Sequence, residues 1–227
     1  MARRRSFRAK SGRELKRRGA SRDVPDRVLI VTEGARTEPD YFRKLIADLG
    51  LTTAKVRIIG DGGSAPINVV EDGKKALEQD SDFEQVYFVF DRDSHATYDE
   101  ALKVVKTLQK EQDYRGKTIR AATSVPCFEI WFLMHVSASR KPYAGKSPGA
   151  DLLSELRKNG HFSDYVKGKC VQFEVIKKFR DTAKSRAVSF LEQAEKNGEP
   201  EFHENPSTRV HLVVGALETL SKVNKKA

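Results

Sequence analysis

Short apolar segments rich in β-branched residues alternate with amphipathic segments through the first 136 residues of this chain. Residues 27–32 and 85–90 are two of these apolar segments, and an acidic residue follows each of them at once. Strands that alternate with helices are typical of a mainly parallel sheet with helices on both faces. The pattern therefore predicts an α/β fold of about four strands, in which ligands bind beyond the carboxyl ends of the strands.

The expected strands and helices follow from apolar spacing and from residues that start or end helices. Thr37 is expected to cap the first helix, with Asp40 in its first turn, and Gly50 to end it. Pro126 is expected to open a strongly apolar helix that runs through Leu133. The predicted strands are 27–32, 54–59, 85–90 and 118–123, with a further helix at 66–79 and another after Asp91.

From about residue 137 the sequence becomes loop-like and then helical and highly charged. Helices are predicted at 150–158, 171–197 and 206–223, the last with Asn205 as its cap and Pro206 at its first position. The predicted organisation is a flexible basic tail at 1–24, a core at 25–136 and a helical extension packed on the core at 137–227.

The formal net charge of +10 is concentrated in the first 22 residues, where ten Lys and Arg residues face one Glu. Few apolar residues accompany them, so this segment is expected to be flexible when free. Its arginines, among them Arg3, Arg4, Arg5, Arg17 and Arg18, are expected to bind nucleic-acid phosphates in a salt-dependent manner that does not depend on base sequence. A tail that only keeps the protein soluble is the alternative.

No segment approaches the roughly 18 consecutive apolar residues that a membrane span needs, and the N-terminus lacks the apolar block of a signal peptide. The two cysteines, Cys127 and Cys170, match neither a zinc spacing nor a disulfide framework. We therefore expect a cytoplasmic protein with no membrane association. Cys127 is interpreted as a small buried residue rather than a nucleophile.

Acidic residues follow two of the predicted strands, with Glu33 after the first and Asp91 and Asp93 after the third. Because the carboxyl ends of parallel strands meet at one edge of a sheet, these three side chains are expected to bind a divalent cation together. Hard oxygen ligands favour Mg²⁺ or Mn²⁺, which can polarise a phosphodiester and activate water. The alternative is that Asp91 and Asp93 cap the next helix and Glu33 is a solvated turn acid.

Four further residues are candidates for the same site. Glu129 is predicted at the start of the apolar helix that Pro126 opens, where either a metal or Arg partner or the helix dipole would account for its carboxylate. Arg36 and Arg92 flank the acids and are predicted to clamp phosphates, and His95 to contact a phosphate or position a water. For these three residues, solvated surface side chains are the alternative.

The same residues carry a resemblance to known proteins. Val28–Glu38 and Phe90–Asp93 resemble the glutamate motif and the Asp-x-Asp motif of Toprim domains. From about residue 27 to 220 the chain more closely resembles RloB-like proteins, through Glu33-Gly34, Thr37-Glu38, Tyr41-Phe42, Phe90–Asp93, Pro126–Trp131 and Asn205–Thr208. One departure is that Ser94-His95-Ala96 stand where a glycine often follows the Asp-x-Asp pair, which weakens the comparison with topoisomerases and primases.

The resemblance implies a Toprim nuclease of bacterial antiphage defence, similar to partners of an ATPase called RloA. It implies acid/base or metal-binding work for Glu33 and Mg²⁺ binding for Asp91 and Asp93. The expected activity is metal-dependent cleavage of RNA, tRNA included, or of DNA, by a protein whose oligomeric state stays open. The alternatives are a non-catalytic subunit that binds nucleic acid or nucleotide beside an ATPase, and an architectural nucleic-acid binder that uses the basic tail.

Overall fold

The computed structural model describes residues 27–52, 55–60, 65–93, 95–168 and 172–224. Its main sheet has four parallel strands in the order β2–β1–β3–β4. The strands are β1 (Arg27–Thr32), β2 (Val56–Ile59), β3 (Phe83–Val89) and β4 (Thr118–Ala121). The predicted α/β fold with four parallel strands is therefore confirmed.

Eight helices surround this sheet in the described part of the chain. They are α1 (Thr37–Asp48), α2 (Pro66–Gln79), α3 (Tyr98–Leu108), α4 (Glu129–Val136), α5 (Pro148–Arg157), α6 (Phe173–Ile176), α7 (Arg180–Lys196) and α8 (Val210–Asn224). Side chains alternate across a strand, so Val28 and Ile30 of β1 enter a core with α1 and α4, whereas Leu29 and Val31 enter a second core with α2 and α3. Helices cover both faces of the sheet, as predicted.

A second, small sheet was not predicted. It pairs β5 (Ser124–Val125) with β6 (Ser207–Thr208) in antiparallel fashion. The prediction that Asn205 and Pro206 start the last helix is wrong, because α8 begins only at Val210. The Asn205 side chain instead bonds the backbone of Tyr143, accepting from its N–H at 3.1 Å and donating to its carbonyl at 2.8 Å.

The start of α1 also differs from the prediction, whereas its end agrees with it. Arg36 occupies the position before the helix and makes no side-chain cap. The Thr37 hydroxyl accepts a hydrogen bond from the N–H of Gly168 at 2.9 Å, and Asp40 pairs with Arg43. The predicted cap is wrong because a distant loop uses the hydroxyl. Gly50 has a φ of +68°, which a glycine adopts without strain, and the helix ends just before it.

The helices beyond residue 136 pack against the sheet rather than apart from it. One continuous core contains Ile30 of β1, Trp131 of α4, Phe190 of α7 and Val213 of α8. The predicted helix at 171–197 is divided into α6 and α7 by a 3-10 turn, and its first residue lies outside the described residues. None of the helices among the described residues has the length and apolarity needed to cross a bilayer.

His135 of α4 is a buried ionisable group in this core. Only 3% of its surface is exposed, and its Nδ1 lies 2.8 Å from the Trp131 carbonyl oxygen. Burial lowers the pKa of His135 from 6.5 to about 4, and the nearby Arg180 and Arg186 act in the same direction. The imidazole is therefore neutral in the folded protein at physiological pH.

We expect His135 to make the fold sensitive to acid. Between pH 6.5 and about 4 the unfolded chain binds a proton that folded His135 does not, so the free energy of unfolding should fall by up to about 3 kcal/mol. His135→Gln should lose this part of the pH dependence, whatever its stability at neutral pH. Urea denaturation at several pH values tests this, with the exposed His161→Gln as control. Equal slopes in wild type and His135→Gln would contradict it.

Candidate active site

The carboxyl edge of the main sheet brings Glu33 and Asp91 into contact. Glu33 follows β1, and its N–H donates to the Val89 carbonyl of β3 at 3.0 Å. Asp91 follows β3, and its N–H donates to the Glu33 carboxylate at 3.0 Å. Asp91 also forms a β-bridge with Ser124 of β5, so β5 lies against it on the side away from Glu33. The side chain of Asp91 is buried as a result.

Two more carboxylates converge on the same edge from α1 and α4. Glu129 is the first residue of α4 and is fully buried, since the apolar helix packs beneath the sheet edge. Glu38 lies in the first turn of α1, and its carboxylate packs against Gly34 where any side chain would overlap it. Sequence reasoning assigned no role to Glu38. The one available signal was its place beside Glu33-Gly34 in the family motif.

These four acids, Glu33, Glu38, Asp91 and Glu129, form what we call the carboxylate cluster. Burial raises the pKa of Asp91 well above its usual value, and Glu38, Glu129 and Glu33 raise it further. Burial also raises the pKa of Glu38 to about 7, with Glu129 and Glu33 contributing. Burial also raises the pKa of Glu33, and the hydrogen bond from the Asp91 N–H and the charge of His95 oppose this shift in part. The cluster therefore resists carrying its full negative charge.

Two oxygens of the cluster are buried without a hydrogen-bond partner, namely Asp91 Oδ1 and Glu129 Oε2. The other oxygen of Glu129 accepts from the Tyr165 hydroxyl at 3.1 Å. Burial lowers the pKa of the nearby Lys167, but the charges of Glu129, Asp91 and Glu38 together raise it above its usual value. Buried anionic oxygens without partners are costly unless a cation or donor satisfies them, so the cluster is suited to bind a cation.

The donor set fits Mg²⁺ in its chemistry, since all candidate ligands are hard carboxylate oxygens. As they stand, no three Asp, Glu, His or Cys side chains of the described residues are arranged to hold one ion. Mg²⁺ usually keeps several waters and takes only one or two carboxylates. Asp91 and Glu129, with their unpartnered oxygens, are the residues best placed to supply them.

Comparison with known proteins shows the family to which the chain belongs. The sequence model of the RloB-like protein family matches residues 28–217. The chain belongs to the RloB-like family. The inferred resemblance to RloB-like proteins is thus confirmed, and the matched range contains the whole carboxylate cluster and Lys167. Comparison with curated proteins and with solved structures gave no match.

Asp93, the third member of the predicted metal triad, is not part of the buried carboxylate cluster. Its backbone turns at a φ of +26°, its N–H donates to the Pro126 carbonyl at 3.2 Å, and its side chain is exposed. It remains close enough to Glu33 to raise the pKa of that carboxylate slightly. The alternative that Asp91 and Asp93 cap the next helix is wrong, since Thr97 precedes α3.

Three of the residues predicted to contact nucleic acid, Arg36, Arg92 and His95, lie near the acids in sequence and are described by the structure. His95 Nε2 lies 3.1 Å from Glu33 Oε1, so the histidine engages the cluster directly. Arg92 is partly buried and donates to the His203 carbonyl at 3.3 Å, and Arg36 is exposed before α1. The tail arginines Arg3, Arg4, Arg5, Arg17 and Arg18 lie outside the described residues, as does Cys170. Cys127 is buried, as predicted.

The C-terminal segment packs beside Asp91 through β6, which pairs with β5. The Ser124 and Thr208 hydroxyls lie 3.0 Å apart, which joins β6 to the strand beside Asp91. The next residue, Arg209, donates its N–H to the Thr123 carbonyl, and its guanidinium makes two bonds of 3.0 and 2.6 Å to Glu204. Both members of this ion pair are buried. The pair therefore holds β6 against the sheet edge.

We expect Glu204→Gln to destabilise the RloB-like fold by about 3 kcal/mol, because it leaves the Arg209 charge buried without its counter-ion. Chemical denaturation measures the loss directly. The exposed neighbour Glu201→Gln is the matched control and should change stability little. A Glu204→Gln protein as stable as this control would show that the ion pair contributes no net stability.

Proposed function

We propose that this RloB-like protein is a Toprim-like, Mg²⁺-dependent nuclease that hydrolyses phosphodiester bonds of nucleic acid. The observation that carries the proposal is the carboxylate cluster, with its two buried, unpartnered oxygens at the carboxyl edge of a parallel sheet. Lys167 offsets the charge of the cluster only in part, because the pKa values of Asp91 and Glu38 stay raised in its presence. A bound divalent cation would offset the remaining charge, which supports the proposal.

The proposed roles follow from exposure and contacts. Asp91 and Glu129 hold the cation from the buried side, with Tyr165 fixing the orientation of Glu129. A bound Mg²⁺ supplies Lewis-acid chemistry that polarises a phosphodiester and activates water. Glu33 is more accessible, with 13% of its side chain exposed, and it lies against His95, so it is placed to accept a proton. Glu38 packs against Gly34, and its charge raises the pKa of Asp91.

Cleavage assays test this proposal. Purified protein is incubated with RNA, including tRNA, and with DNA, each with Mg²⁺ or Mn²⁺. We expect cleavage by wild type that is lost in EDTA and in Asp91→Asn. Cleavage that persists in Asp91→Asn would reject the assigned chemistry, and failure of wild type to cut any substrate would reject the activity for the isolated chain.

A second candidate function is a non-catalytic subunit that binds nucleic acid or nucleotide while a partner does the chemistry. The absence of a ready-made three-ligand metal site among the described residues favours it. The family resemblance supports an RloA-like ATPase as that partner and antiphage defence as the setting for either function. Adding such an ATPase to the cleavage assay separates them, since a nuclease subunit needs its own Asp91 for activity in the complex, whereas a binding subunit does not.

A further inference from the structure

A cleft of about 470 Å³ lies beside the carboxylate cluster. Asp93 lines it on the side of the cluster, and three basic side chains line it elsewhere: Arg92, Lys146 and Lys167. Its volume falls within the roughly 300–1,000 Å³ that small-ligand sites occupy. The cleft joins the α/β sheet to the segment around α5.

Each basic residue is available to a ligand in a different way. One guanidinium nitrogen of Arg92 donates to the His203 carbonyl, which orients the group and leaves its other N–H donors for a ligand. Lys146 is exposed and has no ion pair among the described residues. Lys167 also stands at the exposed rim, where it feels the charges of Glu129 and Asp91. None of the three forms an ion pair among the described residues, so an anion in the cleft would displace no salt bridge, while Lys167 also feels the charge of the carboxylate cluster.

The start of α5 adds donors to the same wall. Ser147 precedes the helix without a side-chain cap, and Pro148 stands at its first position. Gly149 and Ala150, whose N–H groups belong to the first helical turn, line the cleft. Backbone N–H groups at a helix start have no partner within the helix and favour anions. This end of α5 therefore reinforces the three basic side chains.

The rest of the wall is mostly apolar or aromatic, formed by Val125, Pro126, Tyr143 and Leu153 together with the polar Asn205. An inorganic anion would leave this surface unused, whereas a nucleotide has a planar base for it and a phosphate for the cations. We propose that the cleft binds one nucleotide of a single-stranded nucleic acid, with its phosphate against Arg92, Lys146 and Lys167. The inference deepens the proposed function and rests on it only in taking nucleic acid as the ligand.

The proposal has a consequence for substrate choice. A cleft of this size, bordered by the start of α5 and by β5, has room for one nucleotide and not for a base-paired segment. Because Asp93 and Lys167 connect the cleft to the carboxylate cluster, a nucleotide there places its neighbouring phosphodiester toward the acids. Single-stranded regions and loops are therefore the expected substrates, and continuous duplex is not.

Binding of a short probe tests the cleft without requiring cleavage. The probe is a single-stranded, 5′-phosphorylated trinucleotide with a 3′ fluorophore, followed by anisotropy in EDTA at about 150 mM salt, which screens distant charges. Lys146→Ala and Lys167→Ala should each weaken binding by roughly tenfold, as expected for loss of a charge-assisted phosphate contact. Lys146→Arg should restore binding, and Lys141→Ala, exposed on the same loop and outside the cleft, should leave it unchanged.

A DNA duplex with both ends closed by covalent linkers provides the second arm. Its binding should be the same in wild type and Lys146→Ala, because it cannot enter the cleft. The proposal is overturned if wild type does not bind the trinucleotide, if Lys146→Ala binds it as wild type does, or if both probes weaken equally. A protein that shows the expected binding and cuts nothing would reject nuclease activity of the isolated chain and retain the cleft.

Discussion

Replacing Asp91 with Asn should abolish cleavage and at the same time make the protein more stable. We expect activity to fall by roughly a thousand-fold, which corresponds to the several kcal/mol that a metal centre contributes. In metal-free buffer at neutral pH, the free energy of unfolding should rise by about 1 to 2 kcal/mol, as is common when a strained functional group is removed. Calorimetry or urea denaturation in EDTA measures the second effect.

The direction of the stability change follows from the raised pKa of Asp91. A carboxyl whose pKa is higher in the folded than in the unfolded state costs stability as pH rises above its unfolded value, near 3.8. The advantage of Asp91→Asn should therefore vanish in strong acid and grow toward neutral pH. The exposed Asp113→Asn is the control and should show neither effect. Loss of stability in Asp91→Asn at neutral pH would mean that the carboxylate is a structural group.

Divalent cations should reverse the order of stability. A ligand that binds only the folded state stabilises it by about 2.7 kcal/mol at a hundred times its dissociation constant. Wild type should therefore gain stability when Mg²⁺ or Mn²⁺ is added, and Asp91→Asn and Glu129→Gln should gain little. Thermal unfolding with and without the cation reads this out independently of any substrate. Equal gains in all three proteins would exclude the carboxylate cluster as the binding site.

The two central strands of the main sheet, β1 and β3, were predictable because most of their residues are buried on both faces. Parallel strands in that position are nearly continuous apolar runs, such as 28–31 and 86–89 here. By contrast, β5 and β6 have two residues each, which is too short for any periodicity. Asn205 was a reasonable helix-cap residue, but the backbone of Tyr143 takes up its side chain. The local preference of Asn205 for a helix start is overridden there by this tertiary contact.

Only the site residues that directly follow predicted strands could be predicted from the sequence. Glu33 and Asp91 meet because β1 and β3 are neighbours, a relation that alternating strands and helices imply. Glu38 looks like an ordinary first-turn acid, and only its packing against Gly34 shows that it faces the cluster. Lys167 lies in a loop with no periodic pattern, so nothing in the sequence connects it with Glu129, 38 positions earlier, or with Asp91, 76 positions earlier. Asp93 was expected inside the site, but the turn of the chain leaves it exposed.

The cluster depends on both halves of the chain. Tyr165 and Lys167, which contact or neutralise its acids, follow α5, and Gly168 is bonded to the Thr37 hydroxyl at the start of α1. A core fragment ending near residue 136 would retain the four carboxylates and lose these partners. The helical extension is therefore part of the site and not only a support for the sheet.

Deleting residues 1–22 should separate substrate capture from chemistry. The segment carries nine of the ten net positive charges, and each phosphate it neutralises releases counter-ions. Its loss should weaken binding of long nucleic acids by roughly a thousand-fold at low salt and flatten the salt dependence of the affinity. Stabilisation by Mg²⁺ should be unchanged, since the carboxylate cluster is intact, and cleavage should persist at high substrate concentration. A matched variant with the same ten basic residues in scrambled order should bind as wild type does. If the deletion instead removed all cation stabilisation, the tail would be part of the metal site; if wild type bound tightly and neither protein cleaved, the architectural alternative would stand.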